Sequence, residues 1–292
     1  MNSIFKNEKY QSCFEEKGFV KVPLLNEEQV NEIVDFFNST RQQHEIVTNL
    51  HYTTSHTEDV NLIKSTDTKI KSVLLPELNK ILLDFKPLVG VFQIKNPGTG
   101  SNTGIHQDPT FVDESKYCSA NVWVALQDVN EKNGNLFFVS GSNHVVSSLR
   151  IAPSFPSYYE SFRESLPEMI IHQPLKKGEA IIFNSATIHG ATENLSKLTR
   201  LAVTLLICST SAQWLMYYKE ENATVNKIEK YHLDLETFIT IPNAGRPDKK
   251  KIIEYITFHF PQISKDEFLR KIEKPIQQNR NYLQRVKDFL LK

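Results

Sequence analysis

Cysteine is scarce in this 292-residue chain, which has only Cys13, Cys118 and Cys208 and no CxxC spacing. An odd, scattered set builds no disulfide framework. Stability therefore has to come from buried apolar area, and the chain is long enough to supply it without a structural metal. Excess charge of either sign is also missing, since Lys plus Arg and Asp plus Glu both number 34. That balance speaks against nucleic-acid or membrane partners, whose ligands usually carry a basic excess. The local run "RPDKKK" at 246–251 reads as a solvated helix start. No stretch reaches the ~18 apolar residues of a membrane span. The opening "MNSIFKNEKYQSCFEEKGF" has no apolar signal-peptide segment. These absences predict a cytoplasmic protein. No linker rich in Gly, Ser and Pro and no internal repeat divides the chain, so one domain over 1–292 is expected.

What is present changes texture along the chain. Residues 1–87 read as a mainly helical flank, with a short strand in "GFVKVPLL" (18–25). In "NEEQVNEIVDFFNSTRQ" (26–42), Val30, Ile33, Val34 and Phe37 fall at helical spacing, and Asn26 with Gln29 forms a capping-box signature. A second helix is predicted over about 67–84, kinked or split at Pro76. From 88 to 210 come strand-like runs separated by Gly, Pro, Asn and Ser: "LVGVFQIK", "YCSANVWVALQDV", "GNLFFVSGS", "MIIHQPL", "GEAIIFNSATIHG" and "TRLAVTLLICS". Strands without intervening helices argue for a sandwich or barrel. The fold class is therefore mainly β with flanking helices. An aromatic-rich insertion, "SFPSYYESFRESLPE" (154–168), interrupts the strands, and residues 211–292 read as a helical C-terminal extension.

The candidate chemistry begins at "GIHQDPTF" (104–111). His106 and Asp108 stand two apart, so on an extended segment both side chains point the same way while Gln107 points opposite. Two ligands do not make a metal site, and among nine histidines the third must be chosen by position. His189 ends the strand-like run "GEAIIFNSATIHG", 83 residues on. Two imidazoles and a carboxylate match the facial triad of non-heme Fe(II) oxygenases. Catalytic zinc accepts the same set. Arg200 discriminates between them. Along "TRLAVTLLICS", Leu201, Val203, Leu205 and Ile207 share a fully apolar face, which turns Arg200 toward the interior. A buried guanidinium needs an anion, and a dicarboxylate cosubstrate would supply one. By the same alternation Asn121 and Trp123 fall on the mixed face of their strand, and Gln93 and Lys95 share a face of theirs.

This order of motifs resembles the phytanoyl-CoA dioxygenase (PhyH) family of Fe(II)/2-oxoglutarate oxygenases. The resemblance rests on "GFVKVPLLNEEQV", "HQD", "NVWVALQDVNEKNGNLFFVSGSNH", "KKGEAIIFNSATIHGATEN" and "TRLAV", across about residues 15–210. It implies a double-stranded β-helix, or jelly-roll, core over 88–210. It implies Fe(II) on His106, Asp108 and His189, with 2-oxoglutarate and O2 as cosubstrates. It implies that Arg200 anchors the far carboxylate of 2-oxoglutarate, beside Trp123 and Asn121, with Lys95 and Gln93 as looser matches. Two departures touch the pocket rim: "SGSNH" replaces the common "PGSH", and Ala191 stands where a serine is common. A carboxylate at 108 speaks against a halogenase. The implied reaction hydroxylates an aliphatic C–H of a small molecule or carrier-bound substrate, releasing succinate and CO2. Thr110, Phe111, Tyr158, Tyr159 and Arg163 are the candidate substrate residues. The alternatives are a metal-dependent hydrolase or isomerase on a cupin-like barrel, and a ligand-binding barrel without catalysis.

Overall fold

The Asn7 side chain accepts from Lys9 N and starts helix α1 (Glu8–Lys17). Gly18, at φ 83°, ends it and turns the chain into strand β1 (Phe19–Pro23). Asn26 and Gln29 exchange side-chain-to-main-chain hydrogen bonds of 2.9 Å, the expected capping box, at the start of α2 (Glu27–Gln43). β2 (His51–Thr53) follows. Asp59 then caps α3 (Val60–Ile81), which runs through Pro76 as one helix. The β region comprises β3 (Lys86–Lys95), β4 (Thr103–His106), β5 (Ser119–Ala125), β6 (Leu136–Val139), β7 (Ile170–Gln173), β8 (Glu179–Asn184), β9 (His189–Ala191) and β10 (Arg200–Cys208). Strands β11 (Leu215–Tyr218) and β12 (Lys227–His232), helix α4 (Leu235–Thr240) and β13 (Ile252–Thr257) complete the named elements. The structure, a computed structural model, describes residues 3–43, 49–146, 148–150, 155–219, 227–241 and 245–273.

Two antiparallel sheets face each other. The larger has the order β1-β8-β5-β10-β3-β2 and the smaller β4-β9-β6-β7. Alternation along the strands sorts side chains onto the two faces. Leu201, Val203, Leu205 and Ile207 of β10 pack outward with Ala120, Val122 and Val124 of β5, against Ile33 and Phe37 of α2 and Ile70 and Leu74 of α3. The inward face puts Trp123, Ala125, Ile181, Phe183 and Ala202 against Leu136, Phe138 and Ala191 of the smaller sheet. This is the jelly-roll core expected from the sequence. Asp67, buried on α3, accepts from Gly90 N at 2.7 Å and pins that helix to β3.

The C-terminal region departs from the helical expectation. A third sheet, β11-β12-β13, occupies it, and "RPDKKK" runs into a single 3-10 turn (Lys249–Lys251) leading into β13. "IIEYIT" places apolar residues where either period fits. Pairing with β12 selects the strand, with Lys230 and Glu254 in register and 3.0 Å apart, and Lys227 3.8 Å from the Tyr255 ring centroid. Residues 265–273 are helical as expected. The rest of that predicted helix, 274–292, lies outside the described residues. The aromatic insertion folds into a 3-10 segment (Glu160–Met169) buttressed by later chain. Phe268 packs on Phe162 and Tyr158, Ile263 N donates to Tyr158 O at 3.4 Å, and Gln262 Nε2 donates to Ser157 O at 3.2 Å.

Candidate metal centre and its two cavities

β4 pairs with β9 so that His106 and His189 stand directly opposite each other. Their rings lie 4.3 Å apart, centroid to centroid. Each ring turns Nδ1 to a main-chain carbonyl, His106 to Gly104 O at 2.8 Å and His189 to Thr187 O at 2.9 Å. A donor at Nδ1 leaves Nε2 as a bare lone pair. Both Nε2 atoms face Asp108 Oδ1, at 3.7 and 3.8 Å. The three ligand atoms lie within 4.8 Å of one another, the one such cluster among the described residues. Burial, partly offset by Asp108, lowers the His189 pKa to about 4 and keeps that imidazole neutral. Phe183 and Phe138 flank its ring at 4.6 and 5.9 Å.

Asp108 lies just beyond β4, and other contacts hold it. Its N–H donates to Ser185 O at 3.0 Å, and its Oδ2 accepts from Asn121 Nδ2 at 2.7 Å. Asn121 thus stands on the wall of the cavity described next and also holds the carboxylate ligand by its second oxygen. Gln107 does point away, and its amide donates to Ala186 O.

A cavity of about 190 Å3 runs from these ligands to Arg200, with Gln93, Asn121, Trp123 and Thr204 on its walls. Arg200 is 1% exposed. Its Nη1 donates to Gln93 O at 3.1 Å, its guanidinium lies 5.2 Å from the Trp123 ring centroid, and its Nε has no partner. Thr204 Oγ1 in the same wall is also unpartnered. Burial lowers the Arg200 pKa to about 9. Lys95 is fully buried nearby and donates to Thr192 O and Ala191 O at 2.7 and 3.3 Å, off the cavity wall. Burial, then Arg200, brings its pKa down to about 7. The Gln93 amide oxygen meets His51 Nε2 at 3.3 Å. His51, which no motif singles out, belongs to β2, opposite Lys95 in register, and joins the cavity wall. Three residues are too few for periodicity to reveal a strand.

The candidate substrate residues divide between two further cavities. Tyr158, Tyr159 and Arg163 line an open cavity of about 580 Å3 that also reaches His106. Both tyrosines are 1% exposed, and the Tyr158 hydroxyl donates to Ser142 O at 3.3 Å. Thr110 and Phe111 line a separate cavity of about 130 Å3 with Met216, Leu233 and Phe238. Arg150 and Glu114, which no motif singles out, form a buried ion pair beside Asp108.

Residues 14–202, more than half of the chain, match the family profile described as phytanoyl-CoA dioxygenase (PhyH). The phytanoyl-CoA dioxygenase domain-containing protein 1 of Danio rerio is 28% identical over 127 residues, 41% of this chain and 44% of that protein. Phytanoyl-CoA dioxygenase 1 of Oryza sativa subsp. japonica is 27% identical over 132 residues, covering 42% and 45%. The chain thus spans less than half the length of these curated relatives. Among solved structures, the epimerase SnoN in complex with Fe3+, alpha ketoglutarate and nogalamycin RO is similar at a TM-score of 0.54 and 17% identity, over 89% of this chain and 96% of that one. That likeness extends the jelly-roll assignment. No helix among the described residues is long and apolar enough to cross a membrane.

Proposed function

This chain belongs to the phytanoyl-CoA dioxygenase (PhyH) family, and from that premise we propose that it is an Fe(II)/2-oxoglutarate-dependent dioxygenase. The reaction we infer hydroxylates an aliphatic C–H of a small-molecule or carrier-bound substrate, with succinate and CO2 as coproducts. One observation carries the reading. A buried arginine with an unpartnered Nε closes one end of a cavity whose other end is a His-Asp-His cluster. A dicarboxylate that also reaches the metal would supply the anion this cation needs.

The residues fit the group. Two imidazole Nε2 atoms and one carboxylate oxygen converge, and the donor set suits ferrous iron. Bound there with 2-oxoglutarate and O2, iron supplies the oxidising chemistry. The protein's own part is positioning and charge. Asp108 offsets part of the cation's charge, and Asn121 holds that carboxylate by its second oxygen. Arg200 binds the far carboxylate, with Trp123 against the face of its guanidinium. Held at that end, the cosubstrate would be oriented by this chain's own Arg200 and Trp123. Phe183 and Leu136 keep the cavity wall apolar. The 580 Å3 cavity at His106, walled by Tyr158, Tyr159 and Arg163, is where the substrate's C–H would approach.

The test is anaerobic binding followed by turnover. With Fe(II), the protein should bind 2-oxoglutarate and, in air, release succinate slowly without added substrate. His106→Ala should abolish both. Failure of the wild type to bind 2-oxoglutarate in the presence of Fe(II) would overturn the proposal.

A further inference from the structure

Asp108 presents a problem that its ligand role does not solve. It lies past the end of β4, with no ladder partner to fix its backbone. Ser185 O takes its N–H on one side, at 3.0 Å. On the other side, its carbonyl accepts from Arg150 Nε at 2.9 Å. The same guanidinium forks onto both oxygens of Glu114, with Nη1 to Oε2 at 2.7 Å and Nη2 to Oε1. Nη1 also donates to Ser148 O at 3.0 Å. The main chains are laced as well. Thr110 N donates to Arg150 O at 2.9 Å, and Arg150 N donates to Thr110 Oγ1 at 3.0 Å. Residues 108–110 and 148–150 are therefore held as one rigid unit.

We propose that Arg150, fixed by Glu114, is a positioning residue that holds the Asp108 carboxylate in the ligand cluster. This rests on the metal reading above. Arg150 also lines the 580 Å3 cavity, so a substrate-binding role is the competing assignment. The count of donors decides between them. Of the five guanidinium N–H groups, four are already directed at Asp108 O, Ser148 O and the two Glu114 oxygens. A side chain so occupied has little left for a ligand. Nor is stability a sufficient reason for the pair. Its side chains are 8% and 15% exposed, and a buried ion pair is often replaceable by apolar residues without loss. What an apolar pair cannot supply is a directed donor to the carbonyl of a ligand residue. Groups that orient metal ligands in this way typically contribute about 10- to 100-fold to metal affinity.

The experiment is Co(II) titration of the metal-free protein, followed by calorimetry and by the visible absorption of the bound ion. It compares wild type, His106→Ala, Arg150→Lys, the isosteric Glu114→Gln, and Arg150→Met combined with Glu114→Met. Arg150→Lys and Glu114→Gln should each weaken Co(II) binding by about tenfold or more, at temperatures well below melting. Their Co(II) spectra should differ from wild type. The double methionine variant should melt at or above the wild-type temperature while its affinity stays low, a split that a merely structural pair would not produce. A folded Arg150→Lys or Glu114→Gln variant with wild-type affinity and spectrum overturns the inference, and Glu114→Gln decides the matter if Arg150→Lys does not fold. Wild type that binds no Co(II) overturns the metal reading itself. Wild-type binding lost only in His106→Ala overturns the positioning role alone.

Discussion

Replacing Arg200 with methionine should stabilise the ligand-free protein. Burial that lowers the guanidinium pKa to about 9 corresponds to roughly 5 kcal/mol of unfavourable desolvation. Against this stand the contact with Trp123 at 5.2 Å and the bond to Gln93 O at 3.1 Å. Together these contribute about 2 kcal/mol. Methionine keeps most of the packing, so Arg200→Met should gain up to about 3 kcal/mol, or roughly 6–12 °C in melting temperature. Relief of Lys95, whose pKa Arg200 depresses, acts in the same direction. Ligand should reverse the order of response. At about 100 times its Kd, 2-oxoglutarate should add about 2.7 kcal/mol to wild type and nothing to the variant. Thermal melts of both proteins, with and without 2-oxoglutarate and with pyruvate as a monocarboxylate control, read both effects. If ligand-free Arg200→Met melts clearly below wild type, the guanidinium is compensated within the fold and the reasoning fails.

Three further outcomes follow from the geometry. Burial, then Lys95 and Arg200, lowers the His51 pKa from 6.5 to about 4. The unfolded chain therefore binds the extra proton first as pH falls, and stability declines from about pH 6.5 to about 4, then levels off. His189 titrates in the same window, so the flatter pH–melting profile of His51→Gln isolates His51, worth at most about 3 kcal/mol. Gly134→Ala, at φ 89°, would put a Cβ 2.9 Å from Lys95 Cδ and 3.5 Å from Arg200 Nε. The strain should cost about 1–2 kcal/mol of stability and weaken 2-oxoglutarate binding more than Co(II) binding, measured by calorimetry. Asn121→Leu should free the second Asp108 oxygen and reduce Co(II) affinity by about tenfold or more. Wild-type affinity in a folded Asn121→Leu would remove that residue from the ligand's support.

The parts legible in the sequence were those with local or periodic signatures. The Asn26–Gln29 box, the alternation along β10 and β5, and the His106, Asp108, His189 and Arg200 constellation all read directly. The illegible parts depend on what lies across space. β13 becomes a strand because β12 is beside it, and "IIEYIT" alone does not choose. His51 becomes a cavity residue because three residues happen to extend a sheet edge. Asn121 was placed on the correct face, but its partner, Asp108, sits on a loop whose path no periodicity describes. Arg150 and Glu114 carry no motif at all, since an ion pair 36 residues apart is visible only once the chain is folded.

Residues 262–268 have a consequence in time. They buttress Ser157, Tyr158 and Phe162, which form or support the wall of the large cavity. The sheets that carry the metal ligands are complete by Cys208. During synthesis the barrel can therefore assemble before its cavity wall is braced. The ligand cluster is thus set by chain that ends at Cys208, while the wall beside it is set by chain that follows.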